Sequence, residues 1–142
     1  MTGDGWRVAV HRFALHSFLL FVPTPNIHSD LIAWQEAMNL VEEVYRDTEG
    51  FPQKEMFSLT TQIRRAAISI PSNLAEGAGR NSRREFLQYV GISCGSLAEL
   101  ETQLQLAVRL GYLQPEAKCL GQMSQVGRLV RGLRKSLRCE DD

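Results

Sequence analysis

Between Phe86 and Gly111 one apolar rhythm runs without a break. Phe86, Val90, Ser93, Leu97, Leu100, Leu104, Ala107 and Gly111 fall alternately four and three residues apart. Such spacing keeps one face of a helix turned to a partner over nearly four heptads. At 1.5 Å per residue the helix is about 43 Å long. Its start is marked by Ser82-Arg83-Arg84-Glu85, a capping box in which Ser82 accepts from the Glu85 amide while Glu85 reaches back. Gly111 is its stop.

Three more helices complete the pattern. Ser29 or Asp30 caps a first helix through Thr48, with Leu31, Trp34, Met38, Val41 and Tyr45 as its apolar stripe and Gly50 as its stop. Pro52 opens the second, as a first-turn proline does, and Phe57, Thr60, Ile63, Ala67, Ile70 and Leu74 make its stripe. Pro71 interrupts that helix and frees the Ala67 carbonyl. The rhythm survives across it, so the expectation is one kinked helix whose freed carbonyl is met by water, Ser72 or Asn73. Gly77 and Gly79 end it. Pro115 opens the fourth helix, with Leu120, Met123, Val126, Val130, Leu133 and Leu137 inward. No strand pattern competes. Short connections predict an all-α, antiparallel up-down-up-down four-helix bundle over residues 28–138.

The ends differ in character. Residues 1–27 carry the apolar run Phe13–Val22, broken by His16 and Ser17 and followed by Pro23 and Pro25 without a small-residue cleavage site. The run is too short to span a bilayer. It reads as an N-terminal extension, poorly ordered, or as upstream codons from a wrong start; residues 139–142 form an acidic tail.

A chain of 142 residues buries a core without staples. Cys94, Cys119 and Cys139 are odd in number and widely spaced, with no C-x-x-C. That argues against a disulfide framework and a zinc site and suits a reducing cytoplasm. His11, His16 and His28 have no partner ligands in sequence. Gly77-Ala78-Gly79-Arg80 lacks the strand and the Lys-Ser/Thr of a phosphate loop. Glu99 and Glu101 cannot face each other on a helix, no Glu-x-x-His pair is present, and Ser69, Ser72 and Ser93 have no activating histidine. The sequence therefore predicts no catalytic residues, no metal and no cofactor.

Net charge is zero but unevenly spread. From Asp30 to Glu49 six acids face Arg46 alone. Arg64, Arg65, Arg80, Arg83 and Arg84 face only Glu76, and Arg128, Arg131, Arg134, Lys135 and Arg138 form a second basic run. Two readings stay open: solvated faces that complement one another within the bundle, or a basic surface for phosphates on Arg64, Arg65, Arg80, Arg83 and Arg84 with Arg128, Arg131, Arg134 and Lys135 as a second strip.

The third helix also crowds Gly91, Ser93, Cys94, Gly95, Ser96 and Ala98 together. A glycine inside a helix costs about 1 kcal/mol relative to alanine, so a close approach of another backbone is implied. A helix of the same chain or a second subunit could supply it. Gly91, Cys94, Gly95 and Ala98 are the expected oligomer interface.

Several blocks resemble a family: His28–Met38, Phe51-Pro52, Gln62–Ala67, Ile70–Gly77, Phe86-Leu87, Gly95–Thr102 and Gly111–Leu113. In this order they are similar to the small four-helix-bundle proteins encoded in intervening sequences of bacterial 23S ribosomal RNA genes, a family that includes the accessory variability proteins of diversity-generating retroelements. The resemblance implies a ring-shaped homopentamer. In the retroelement branch it implies a basic surface that binds structured RNA and a reverse transcriptase. A neutral chain departs from that branch. The expected function is a non-catalytic scaffold that binds a protein partner, with an RNA-binding accessory role as the alternative, and no membrane association.

Overall fold

The computed structural model describes residues 28–139. The apolar run Phe13–Val22, His11, His16 and the acids after Cys139 lie outside the described residues. Four helices follow in order: α1 (Ile32–Thr48), α2 (Leu59–Ala78), α3 (Arg83–Arg109) and α4 (Lys118–Cys139). Short 3-10 turns occupy His28–Asp30 and Gln53–Glu55. No strand occurs among the described residues. Helix α1 packs on α2 and α4, and α3 packs on the same two, which is the square of a four-helix bundle. Side-chain links set the directions. The start of α2 meets the end of α1 (Arg64 Nε to Thr48 Oγ1, 3.0 Å). The start of α3 meets the end of α4 (Arg83 Nε to the Leu137 carbonyl, 2.9 Å). The Cys119 amide at the start of α4 donates to Asp47 Oδ2 near the end of α1, at 3.0 Å. Neighbours thus run antiparallel.

Helix α3 forms as its sequence directs. The Ser82 hydroxyl accepts from the Glu85 amide at 3.2 Å and donates to the Glu85 carboxylate at 3.0 Å. All of Phe86, Val90, Ser93, Leu97, Leu100, Leu104 and Ala107 are buried. The helix ends in a Schellman motif. Gly111 takes φ +77°, its amide donates to Val108, and the Tyr112 amide donates to Ala107.

Elsewhere the sequence reading is corrected. In α1 the buried face is Ala33, Ala37, Leu40, Val44 and Thr48, one residue and about 100° away from the expected stripe. Leu31, Trp34 and Val41 pack at its edge, while Met38 and Tyr45 are exposed. The Tyr45 ring lies instead under the Arg64 guanidinium, 4.6 Å away. Neither Ser29 nor Asp30 caps α1. Leu31 is the N-cap, without a side-chain bond. Gly50 follows Glu49 and does not take a left-handed conformation.

Helix α2 starts at Leu59, not Pro52, because the 3-10 turn after Pro52 takes up the intervening residues. Phe57 falls outside it and is 93% exposed; Phe51 is buried instead, its ring 5.8 Å from Tyr112. The helix runs through the buried Pro71 to Ala78. Ser72 and Asn73 do not reach the Ala67 carbonyl. Their side chains donate to the carbonyls of Ile68 and Ser69, each at 2.8 Å. Helix α4 begins three residues after Pro115 and runs one residue beyond the expected boundary. Met123, Val126 and Val130 are buried with Cys119 and Gly127, and Leu120, Leu133 and Leu137 pack at the margin.

Candidate functional site

The arginines expected to form one basic surface have different jobs. Arg64 ties α2 to α1 through Thr48, whose hydroxyl in turn donates to the Val44 carbonyl at 2.7 Å. Arg80 donates to Glu76 at 2.8 Å and to the Tyr89 hydroxyl at 2.7 Å, and that hydroxyl lies 3.2 Å from the same carboxylate oxygen. Arg83 donates to the carbonyls of Leu137 and Ser136, at 2.9 and 3.0 Å, and so caps the C-terminus of α4 with a positive charge, where the helix dipole favours it. These three are held by the bundle. Arg65, Arg84, Arg128, Arg131 and Lys135 are exposed, and Arg134 is half-buried.

Among the described residues no ion pair joins one helix to another. The ion pairs among the described residues are Arg46 with Glu42 (3.2 Å) and Glu43 (2.6 Å), and Arg80 with Glu76 (2.8 Å). Each lies within one turn of the chain, where exposed pairs are worth only a few tenths of a kcal/mol. The acidic α1 therefore pairs with its own arginine and with no basic helix, against the expectation of faces that complement one another inside the bundle.

The small residues of α3 divide by direction. Ser93 and Ser96 turn to α2: Ser93 donates to the Ile70 carbonyl at 3.1 Å, and the Ser96 and Ser69 hydroxyls meet at 2.8 Å. Gly91 lies near α4, where an added Cβ would meet only Arg134 Nη2, at 3.9 Å. At Gly95 an added Cβ would meet nothing within 4 Å. Cys94 packs half-buried against the core, and Ala98 is exposed. The close helix approach inside the chain is at Gly77. A Cβ there would stand 2.6 Å from the Tyr89 Cβ and 2.9 Å from Phe86 Cδ2. Sequence reasoning gave Gly77 the role of a helix terminus and missed this contact.

It also missed the apolar residues off the seam. Ile92 and Leu110 are 50% exposed and Leu106 is 45% exposed. With Gly95 they mark the outer face of α3 at spacings of three, eleven and four. The available signal was the apolar residues of α3 that fall off its four-and-three seam, Ile92, Leu106 and Leu110.

Cys119 and His28 are each engaged within the fold. Burial and the Asp47 carboxylate push the Cys119 thiol up to about 12, so it is not a thiolate near neutral pH. The His28 ring stands edge-on to Trp34, with centroids 5.0 Å apart. Among the described residues no three His, Cys, Asp or Glu side chains gather as metal ligands, and no helix is long and apolar enough to cross a membrane.

Comparison with known proteins adds two findings. The family model for the 23S rRNA-intervening sequence protein matches residues 29–132. A crystal structure of a protein of unknown function from the S23 ribosomal protein family of Bacteroides thetaiotaomicron superposes with a TM-score of 0.61 at 22% identity. That match covers 80% of this chain and 99% of the other, and it shows a shared fold. No curated protein matches.

Proposed function

The chain belongs to the family of 23S rRNA-intervening sequence proteins, and from that premise we propose that it works as a non-catalytic homo-oligomeric scaffold. Copies associate through the outer face of α3 and present the remaining surface to a protein partner. A closed ring of five is the number that the family resemblance implies. The observation that carries the reading is the open space over Gly95. The glycine is expensive in a helix interior, and no helix of its own chain comes near enough to require it. It lies on a face with exposed Ile92, Leu106 and Leu110, apolar surface that a second subunit would remove from water. Phe57, at the end of the bundle, is left for the partner. Light scattering tests this. Wild type is expected as an oligomer, and Gly95→Leu, a better helix former with room in its own subunit, keeps its helical circular dichroism and loses mass. A monomeric wild type overturns the reading.

A second reading rests on the exposed cations that have no partner among the described residues, Arg65, Arg84, Arg128 and Lys135. Arginine donates two parallel hydrogen bonds to a phosphate, and a ring repeats the patch around its axis. Filter binding of structured RNA at rising salt, wild type beside Arg84→Glu/Arg128→Glu, tests it. Equal retention by both proteins, or none by either, removes this surface.

A further inference from the structure

We infer that the chain's own apolar segment Phe13–Val22, which lies outside the described residues, docks in a groove between the outer edges of α1 and α2. The inference stands apart from self-association, which uses the outer face of α3. Three observations lead to it.

The first is the groove. Helix α1 carries two apolar stripes, and the core takes only one of them. The other, Leu31, Trp34, Met38, Val41 and Tyr45, keeps its three-and-four spacing along the flank of the helix. Met38 is 39% and Tyr45 41% exposed, and the other three are half-buried. Such a seam is what one helix presents to another. Helix α2 forms the opposite wall. The Arg64 guanidinium over Tyr45 fixes which edges of the two helices meet. Ile68, one turn further along α2 and 40% exposed, falls level with Val41, one turn back along α1, because the helices run antiparallel.

The second is where the segment is tethered. The His28 ring stands edge-on to Trp34, centroids 5.0 Å apart, at one end of the stripe. Five residues, Pro23-Thr24-Pro25-Asn26-Ile27, separate His28 from Val22. Extended, they reach about 17 Å, enough to turn the segment back along the groove. A segment tied this close meets the groove at high effective concentration, ahead of any occupant from outside.

The third is the match of length and charge. Ten residues wound as a helix cover about 15 Å, and the stripe from Trp34 to Tyr45 covers about 16.5 Å. Eight of the ten are apolar, three of them phenylalanine, a composition that gains by leaving water. Laid back from His28, the segment brings its basic flank, Arg7, His11 and Arg12, to the end of α1 where Glu42 and Glu49 are exposed. Opposite charges meet in that direction. The outer face of α3 fits less well. Its exposed Ile92 and Leu106 are fourteen residues, about 21 Å, apart, more than one ten-residue helix covers.

The test is limited chymotrypsin digestion of the full chain, because cleavage follows the fraction of the segment that is open. Fragments ending at Phe18 and Phe21 are timed by mass spectrometry. Met38→Glu/Ile68→Glu should speed both cleavages at least tenfold, while cleavage at the exposed Phe57 keeps its wild-type rate. Circular dichroism checks that the bundle is intact. Should the pair unfold it, Ile68→Lys alone should still give at least a threefold increase. These rates read a single subunit and do not depend on the number of copies. Wild type cut at Phe18 and Phe21 as fast as the folded variants overturns the inference. Faster cleavage in Ile92→Glu/Leu106→Glu, and not in the groove variants, also overturns it by moving the segment to α3. So does a Met38→Glu/Ile68→Glu protein that loses mass in sedimentation with its cleavage rates unchanged, since the groove would then hold a second copy.

Discussion

Arg83, the first residue of α3, donates from Nε to the backbone carbonyl of Leu137 near the end of α4, across 54 positions of sequence, at 2.9 Å. A second nitrogen reaches the Ser136 carbonyl. One side chain thus supplies partners that the last turn of α4 cannot find within itself. Arg83→Ala should lower stability by about 1–2 kcal/mol, the range for bonds from a charged donor that is part-exposed. Arg84→Ala, one position on and exposed, should stay within about 0.5 kcal/mol of wild type. Urea unfolding of the two variants side by side checks the contrast.

Glycines in this bundle should answer to alanine in opposite directions. At Gly77 the new methyl runs into the Tyr89 Cβ and the Phe86 ring. Overpacking there should outweigh the gain in helix propensity and cost about 1–2 kcal/mol. At Gly132 in α4 nothing lies within 4 Å, and alanine should add up to about 1 kcal/mol. Thermal unfolding reads both signs, and a stabilised Gly77→Ala would disprove the close approach.

Alkaline pH should loosen the fold through Cys119. Its thiol is raised from 9.0 to about 12 in the native state by burial and by Asp47. The folded protein holds that proton more tightly than the unfolded chain does. The stabilisation is therefore complete below about pH 9 and is lost as pH climbs from there towards 12. Cys119→Ala should flatten the melting temperature over that window. At pH 8 a thiol reagent should label the exposed Cys139 at once and Cys119 only on unfolding.

Pro71→Ala restores a backbone donor and removes a poor helix former, worth up to about 3 kcal/mol, but gives up a buried ring. The net expectation is about 1 kcal/mol of stabilisation in a urea titration. A loss of more than about 2 kcal/mol would show that the ring's packing dominates.

Local signals explain what the sequence made legible. In α3 the cap, the seam and the left-handed stop are each written within a few residues, and all three form. In α1 two stripes obey the same rhythm, Trp34-Met38-Val41-Tyr45 and Ala33-Ala37-Leu40-Val44. Only the approach of the neighbouring helices chooses the second. Pro52 suits a 3-10 turn as well as a first helical turn, so the start of α2 shifted to Leu59. The surface was harder still. Arg64 and Arg83 read as free cations because their acceptors, Thr48 and Leu137, are 16 and 54 residues away. What could be read was the small-residue crowd of α3, although not which of its members turn inward.

The hydroxyls between α2 and α3 act as a ruler. Ser69 meets Ser96, Asn73 donates to Ser69 Oγ at 3.0 Å, and Ser93 reaches the Ile70 carbonyl. Aliphatic layers alone would tolerate a slide of one turn, about 5.4 Å, with modest repacking. Here the same slide would strand several polar atoms in hydrocarbon, each at roughly 1–3 kcal/mol. The α2–α3 hairpin therefore has one favoured alignment rather than a graded set, fixed by polar atoms and not by the shape of its apolar layers.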